Sequence, residues 1–525
     1  MPKLSAQSIS AKVVNPPTRE LVLSVDQGTT SSRTILFDLH GRKIFSAQRE
    51  LTLSYPRDGW VEQDPSSILQ DVDELIAEAV KFASASNHKI LCAGITNQRE
   101  TVIAWNKRTG RALSPAIVWQ DRRTKKFCEA LRAQHDEASF NAKTGLYFDP
   151  YFSASKIRWL LDNVESVQNC FRQEDLAVGT IESFLAYNLL EEKPHITDVS
   201  NASRTALMNL DTLTWDSELL DLFGIPSAIL PTIRDNTGSF GRLKGCEIPL
   251  LAMIGDQQSA ALGQACLEVG DTKATFGTGC FVMANTGSQF RLSRSRLLST
   301  VAYKDRDDRS YAIEGSLFNA GSAVQWLRDG LGLIASSKEI ESLARRALED
   351  SSVVMVPAFT GLGAPSWQPN ARASFFGITR DSNQADFALA TLEAIAMQTA
   401  DLLKCMQQDG ITISSLKVDG GMCANSLFMQ KLADFCRVIV RRPEELECTA
   451  LGAAILALSY QRKTTLADTS KLWEQKQAWL PQACESYTLR KSSLWSAAKA
   501  SCLHYAKAAE LIADKADSAD HVNDP

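Results

Sequence analysis

Four short segments bring carboxylate, guanidinium, hydroxyl and glycine together in patterns that chemistry could use. In DQGTTSSR, Asp26 ends an apolar run, Gly28 permits a tight turn, and the hydroxyls of Thr29, Thr30 and Ser31 precede Arg33. A glycine turn lets backbone N–H groups approach an anion. The hydroxyls add donors, and Arg33 adds a charge-assisted one. Asp26 repels a phosphate directly but can meet one through Mg2+, which takes carboxylate, water and phosphate oxygens. The phosphate loop GxxxxGK[ST] is absent, and the segment alone also reads as a Gly-Thr turn with surface polar residues.

The second segment is GITNQRET, where Arg99 and Glu100 are adjacent. Such a pair can bracket a neutral polyol, one donating and the other accepting. Neighbours on a strand point to opposite faces, so both reach one ligand only if the strand bends or ends there. A solvated charge pair is the plainer reading. In the third segment, LAMIGDQQSAA, Asp256 follows an apolar run and Gly255. A strand delivering one carboxylate into a cleft suits a general base; capping a helix over Ser259–Cys266 is the other reading, and the two are compatible. Trp119 and Phe281 could wall a pocket or simply fill a core. The fourth feature is a pair of glycine turns, Gly277–Gly279 and Asp419–Gly421, which follow strand-like runs and could admit a nucleotide.

The elements that must position these groups alternate. Leu21–Asp38 reads as strand, turn, strand, and Ile44–Leu53 as a third strand. Pro65–Ala83 carries Ile68, Leu69, Val72, Leu75, Ile76, Ala79 and Val80 at helical spacing. Strands follow at Ile90–Ile95 and Thr101–Trp105. A similar plan restarts near Gly270, with a long helix over Gln384–Gln407, a strand at Ser415–Val418 and a helix over Ser426–Cys436. Two α/β lobes with a cleft between them are therefore expected. Residues 1–20 read as a flexible arm, 21–268 as the first lobe, 269–462 as the second lobe, and 463–525 as a helical tail.

At 525 residues the chain suits two to four domains, and 44% hydrophobic against 22% charged residues excludes a disordered chain. Fifty-six Lys and Arg against 61 Asp and Glu leave a formal charge of −5, which argues against a broad nucleic-acid footprint. No apolar run of about 18 residues marks a membrane span. The twelve cysteines and six histidines are scattered, with no C-x2-C spacing. Free thiols in a reducing, cytoplasmic compartment are expected rather than a zinc site.

Taken together, DQGTTSSR, DGWVE, GITNQRET, IVWQDRR, DPYFSASKIRW, SNASRT, GDQQSAALGQ, FGTGCF, VPAFTGLGAP, DGG and TALGAA are ordered over Leu21 to about Tyr460. This sequence resembles the FGGY family of carbohydrate kinases, most closely its glycerol-phosphorylating members. The resemblance implies two actin-like (RNase-H-like) lobes around a nucleotide cleft and transfer of phosphate from ATP to glycerol, giving sn-glycerol 3-phosphate. It implies a polyol pocket of Arg99, Glu100, Trp119, Tyr151, Asp256, Gln257 and Phe281, with Asp256 as the base. It implies an ATP site of Thr30, Ser31, Arg33, Gly277, Thr278, Gly321, Gln325, Gly421 and Asn425, Asp26 as the magnesium-associated carboxylate, and a homodimer or homotetramer. Ile181-Glu182-Ser183-Phe184 and Ala364-Pro365-Ser366-Trp367 depart from the family's VDTW and APYW. A kinase for another small polyol or ketose, and a non-catalytic nucleotide-binding switch of actin-like fold, are the alternative readings.

Overall fold

The computed structural model describes residues 18–348, 350–469 and 472–520. Most of the arm assigned to residues 1–20 thus lies outside the described residues, and Glu20 already belongs to the first strand. The first sheet has six strands: β1 (Glu20–Gln27), β2 (Ser31–Asp38), β3 (Lys43–Glu50), β4 (Lys89–Asn97), β5 (Thr237–Arg242) and β6 (Pro249–Gly255), in spatial order β5-β6-β4-β1-β2-β3. β1, β2 and β3 form an antiparallel meander, whereas β4 pairs parallel with both β1 and β6. The burial of β1 is nearly continuous, from Leu21 to Val25, as expected for a strand covered on both faces.

The second sheet repeats this plan. Its strands are β7 (Thr272–Phe276), β8 (Cys280–Gly287), β9 (Leu298–Asp305), β10 (Asp308–Leu317), β11 (Ser415–Asp419), β12 (Ile439–Pro443) and β13 (Gln475–Trp479), in order β9-β10-β8-β7-β11-β12-β13. Again an antiparallel meander leads to parallel partners, β11 beside β7 and β12 beside β11. Each sheet thus brings the end of its first strand, the first hairpin and the end of a parallel strand to one edge of the cleft.

Helix α1 (Pro65–Ala85) covers the first sheet. Its N-cap is Asp64, whose carboxylate accepts from Ser66 N, and Pro65 sits where a missing N–H costs nothing. α2 (Asp256–Gly263) follows β6 and α3 (Gln384–Gln408) spans the second lobe. α4 (Ser426–Cys436) follows β11, and α5 (Cys448–Arg462) follows β12. α5 does not stay with its own sheet: it packs on β1, β4 and β6 and crosses α2. Glycines permit this crossing. A Cβ on Gly263 would lie 2.0 Å from the Cys448 carbonyl oxygen, and one on Gly452 1.9 Å from that of Ser259. The Ser259 hydroxyl donates to the Thr449 carbonyl at 2.6 Å across the same contact.

The sequence reading of the tail missed a strand. β13 closes the edge of the second sheet against β12 before the chain enters α6 (Glu485–Asp520). Gln475–Trp479 is polar and alternates weakly, so nothing local marked it. α6 seats Trp495, Ala498, Cys502 and Ala506 in the core of the second lobe. It is also held by charge. Glu393 of α3, 1% exposed, pairs with Lys431 of α4 at 2.8 Å and with Lys491 of α6 at 2.9 Å. None of the twelve cysteines forms a disulfide, and no helix among the described residues is long and apolar enough to cross a membrane.

Removing Glu393 strands the buried Lys491 without a counter-charge. Glu393→Ala should lower the unfolding free energy by about 3–5 kcal/mol. Removal of the exposed Lys125–Glu129 pair should change it little. Urea unfolding followed by tryptophan fluorescence measures both, and equal small effects would contradict this role for Glu393.

Candidate active site

The polyol residues converge at the cleft floor because three chain segments end there together. β4 ends at Asn97, and three residues later the backbone enters the left-handed region at Glu100 (φ 63°). A non-glycine residue adopts that conformation only when its surroundings enforce it. The turn frees the side chains from strand alternation, and the Thr101 N–H closes on the Arg99 carbonyl at 2.8 Å. Arg99 and Glu100 thereby reach one site.

β6 ends at Gly255, whose N–H donates to the Ser200 hydroxyl at 2.9 Å. Asp256 is the first residue of α2, not a cap of a helix starting at Ser259; Gly255 is the N-cap. The Asp256 carboxylate stands 3.3 Å from Arg99 Nε. Desolvation raises its pKa, and Arg99 and Lys273 oppose that rise. Trp119 meets Tyr151 and Phe281 edge-on, with ring centroids 5.7 and 6.0 Å away. The Trp119 indole N–H donates to the Thr29 hydroxyl at 2.8 Å, tying this aromatic wall to the β1–β2 hairpin.

Gln257 is oriented differently. Its side-chain oxygen accepts from Lys273 of β7, a fully buried lysine that also donates to the Thr275 hydroxyl at 2.9 Å. Burial lowers the Lys273 pKa, whereas Asp419, Glu314 and Asp256 raise it.

Four residues close a buried ring of alternating charge. Arg99 donates to both Glu314 oxygens, at 2.6 and 3.0 Å. Arg204 donates to Glu314 Oε1 at 3.1 Å and to Glu100 Oε1 at 2.6 Å, and Glu100 lies 4.0 Å from Arg99. Burial alone would raise Glu314, but Arg204 and Arg99 outweigh it and hold its carboxyl down to about 2.

The glycine turns assemble on the other side of the cleft. Gly277, Thr278, Gly321, Gln325, Gly421 and Asn425 line one cavity of about 550 Å³, with Ser337, Lys338 and Glu341 at its rim. Gly277 and Gly421 present open space where a Cβ would stand. Asn425 caps α4, accepting from Phe428 N at 2.8 Å.

Thr30, Ser31 and Arg33 do not line this cavity. They lie on the β1–β2 hairpin, where Asp26 and Arg33 are register partners. Arg33 donates to the Gln48 side-chain oxygen at 2.9 and 2.6 Å and pairs with Glu447, just before α5. Burial pushes the Asp26 carboxyl up to about 7; Arg33 opposes this, and Asp256 and Glu447 add to it.

Residues 21–263 match the FGGY family of carbohydrate kinases, N-terminal domain, and residues 272–460 match its C-terminal domain. The chain belongs to the FGGY family of carbohydrate kinases. Glycerol kinase of Rhodospirillum centenum is 48% identical over 471 residues, covering 88% of this chain and 94% of that one. Glycerol kinase of a Marinomonas species is 47% identical over 465 residues, with the same shares. The crystal structure of Plasmodium falciparum glycerol kinase with ADP superposes with a TM-score of 0.86 at 35% identity, over 93% of this chain and 99% of that chain. A ligand-bound xylulose kinase from Lactobacillus acidophilus reaches a TM-score of 0.81 at 22% identity, over 91% and 96%, a likeness of fold alone.

In this FGGY chain the two departures fall behind the site. Glu182 accepts from the Thr180 and Thr197 hydroxyls at 2.5 and 2.6 Å and from Asn97 at 3.0 Å, and Phe184 packs edge-on against Trp105. The Trp367 indole donates to the Arg296 carbonyl at 2.8 Å.

Sequence reasoning missed Arg204, Lys273, Glu314 and Glu447. Glu314 carried a usable signal: it is a lone charge within the strand-like, largely apolar run Tyr311–Leu317, and such a charge must find a buried partner.

The open space at Gly421 yields a test. Gly421→Ala should leave the KM for ATP within about threefold, whereas Gly421→Leu should raise it about tenfold or more, equivalent to about 1.4 kcal/mol. An unchanged KM in the leucine variant would remove this cavity as the nucleotide site.

Proposed function

We propose that this protein phosphorylates glycerol with ATP, Asp256 serving as general base. The observation that carries the reading is the Asp256 carboxylate, 3.3 Å from Arg99 in a pocket walled by Trp119, Tyr151 and Phe281. Arg99 and Tyr151 can donate, and Glu100 and Asp256 can accept, which is the demand of a small triol. Asp256 orients a terminal hydroxyl and accepts its proton as the γ-phosphoryl is transferred. The raised pKa of Asp256 improves it as a base, and Arg99 and Lys273 limit that rise.

The nucleotide lies in the glycine-lined cavity, which the β7–β8 hairpin joins to the polyol pocket through Phe281. Arg33 and the backbone of the β1–β2 turn face its phosphates. Mg2+ fits the Asp26 position, where burial lifts the Asp26 pKa to about 7 and the Asp256 and Glu447 carboxylates add to the rise. Among the described residues no three His, Cys, Asp or Glu converge to hold a metal. This suits an ion that draws its other ligands from phosphate and water. When bound it would neutralise phosphate charge, with Asp26 as its protein ligand. Lobe closure excludes water and limits wasteful hydrolysis. The ketose-kinase alternative rests on structural likeness below 25% identity and draws no support from the site.

Two measurements test the reading. Asp256→Asn should retain glycerol and ATP binding within a few fold while kcat falls roughly 10²–10⁴-fold; turnover within about threefold of the unaltered protein would remove Asp256 as base. Trp119 and Phe281 meet edge-on as one bulky wall that crowds chains longer than three carbons, so kcat/KM for glycerol should exceed that for xylulose or gluconate by at least about 10³, equivalent to about 4 kcal/mol. A five- or six-carbon substrate matching glycerol would overturn the assignment.

A further inference from the structure

We infer that Arg204 and Glu314 are the positioning pair that gives the polyol site its selectivity for hydroxyls. The inference rests on the reading of Arg99, Glu100 and Asp256 as the polyol site. Both residues are fully buried, and each bonds directly to a polyol residue, Glu314 to Arg99 and Arg204 to Glu100. Arg204 grips Glu100 Oε1 at 2.6 Å and leaves the second carboxylate oxygen to accept from a ligand hydroxyl. Because Glu100 sits on a left-handed turn rather than in a strand, this bond is what holds its carboxylate in place.

Arg99 is contested. Glu314 holds it with two short bonds, while Asp256 lies 3.3 Å from its Nε. Without the Glu314 charge, the guanidinium is drawn to Asp256, and the donor meant for the polyol occupies the base. The Arg204 guanidinium also lies over the rings of Tyr151 and Phe152, 5.6 and 5.4 Å from their centroids, and so seats the aromatic side of the pocket.

The ring spans the cleft. Arg99, Glu100 and Arg204 belong to the first half of the chain, whereas Glu314 comes from β10 of the second sheet. The hydroxyl-reading geometry is therefore set only when both lobes contribute. Both Glu314 oxygens are spent inside the ring, and Arg204 spends Nε and Nη2 there while its buried Nη1 has no partner.

The test compares glycerol with its deoxy analogues propane-1,3-diol and propane-1,2-diol. In Glu314→Gln and Arg204→Lys the KM for glycerol should rise about tenfold or more, since misplacement near 1 Å can cost up to about 100-fold. The KM for ATP should stay within about threefold, and the preference for glycerol over either diol should shrink at least about tenfold. A purely structural role would lower the melting temperature and the active fraction while leaving both the preference and the glycerol KM in place. If both variants fail to fold, Glu314→Asp keeps the charge but shortens its reach and should show the same loss of preference. Glycerol KM and preference within about twofold of the unaltered protein, in whichever of these variants fold, would overturn the inference. An unaltered protein that does not phosphorylate glycerol would instead sink the functional reading and this inference with it.

Discussion

A buried charge has to be answered by another charge, and four such charges at the cleft floor organise this protein. Arg99, Glu100, Arg204 and Glu314 are each nearly or fully inaccessible to water. Any one of them alone would be strongly destabilising, because an ion removed from water recovers its hydration only through well-placed partners. Joined in a ring they neutralise one another. Three consequences follow for the surrounding structure. The chain after β4 must turn through a left-handed residue to bring Arg99 and Glu100 together. β10 must run alongside the cleft to deliver Glu314. The start of α2 must lie close enough for Asp256 to feel Arg99 without capturing it. The ring also bears on the proposed base: Glu314 takes both terminal nitrogens of the Arg99 guanidinium and leaves its Nε toward Asp256.

The two lobes meet at a different kind of contact. α2 and α5 cross where Gly263 and Gly452 each leave room for the other helix's backbone, and side chains there would collide with carbonyl oxygens. Close backbone packing of this sort holds the two helices together with little bulk. Asp256 begins one helix and Glu447 immediately precedes the other, so the proposed base and the residue holding Arg33 both lie on the crossing helices or next to them.

The second lobe is larger than a repeat of the first. β13 extends its sheet and α6 buries Trp495 and Cys502 in its core, with Glu393, Lys431 and Lys491 forming a charged staple under the helix. The segment that reads from composition as a polar tail is part of the lobe's construction. The glycine-lined cavity lies on this lobe, between the β7–β8 turn, the helix beginning at Gly321 and the turn at Gly421.

Local patterns in the sequence were enough to reveal α1, α3, α4 and the two hairpins, because burial of one helix face or of a continuous strand leaves a period in the residues themselves. Family motifs named groups that converge at the cleft floor and line the glycine-rich cavity, because those groups sit beside turns whose glycines and hydroxyls are recognisable in short strings. The sequence could not disclose which buried charge answers which. Glu314 is 215 residues from Arg99, and Arg204 is 104 from Glu100. β13 was hidden for a similar reason: an edge strand is defined by the backbone it pairs with, and Gln475–Trp479 has no strong pattern of its own. Pairing across the cleft is a property of the folded chain. Coulomb attraction and desolvation select partners by distance in space, and only the tertiary structure sets that distance.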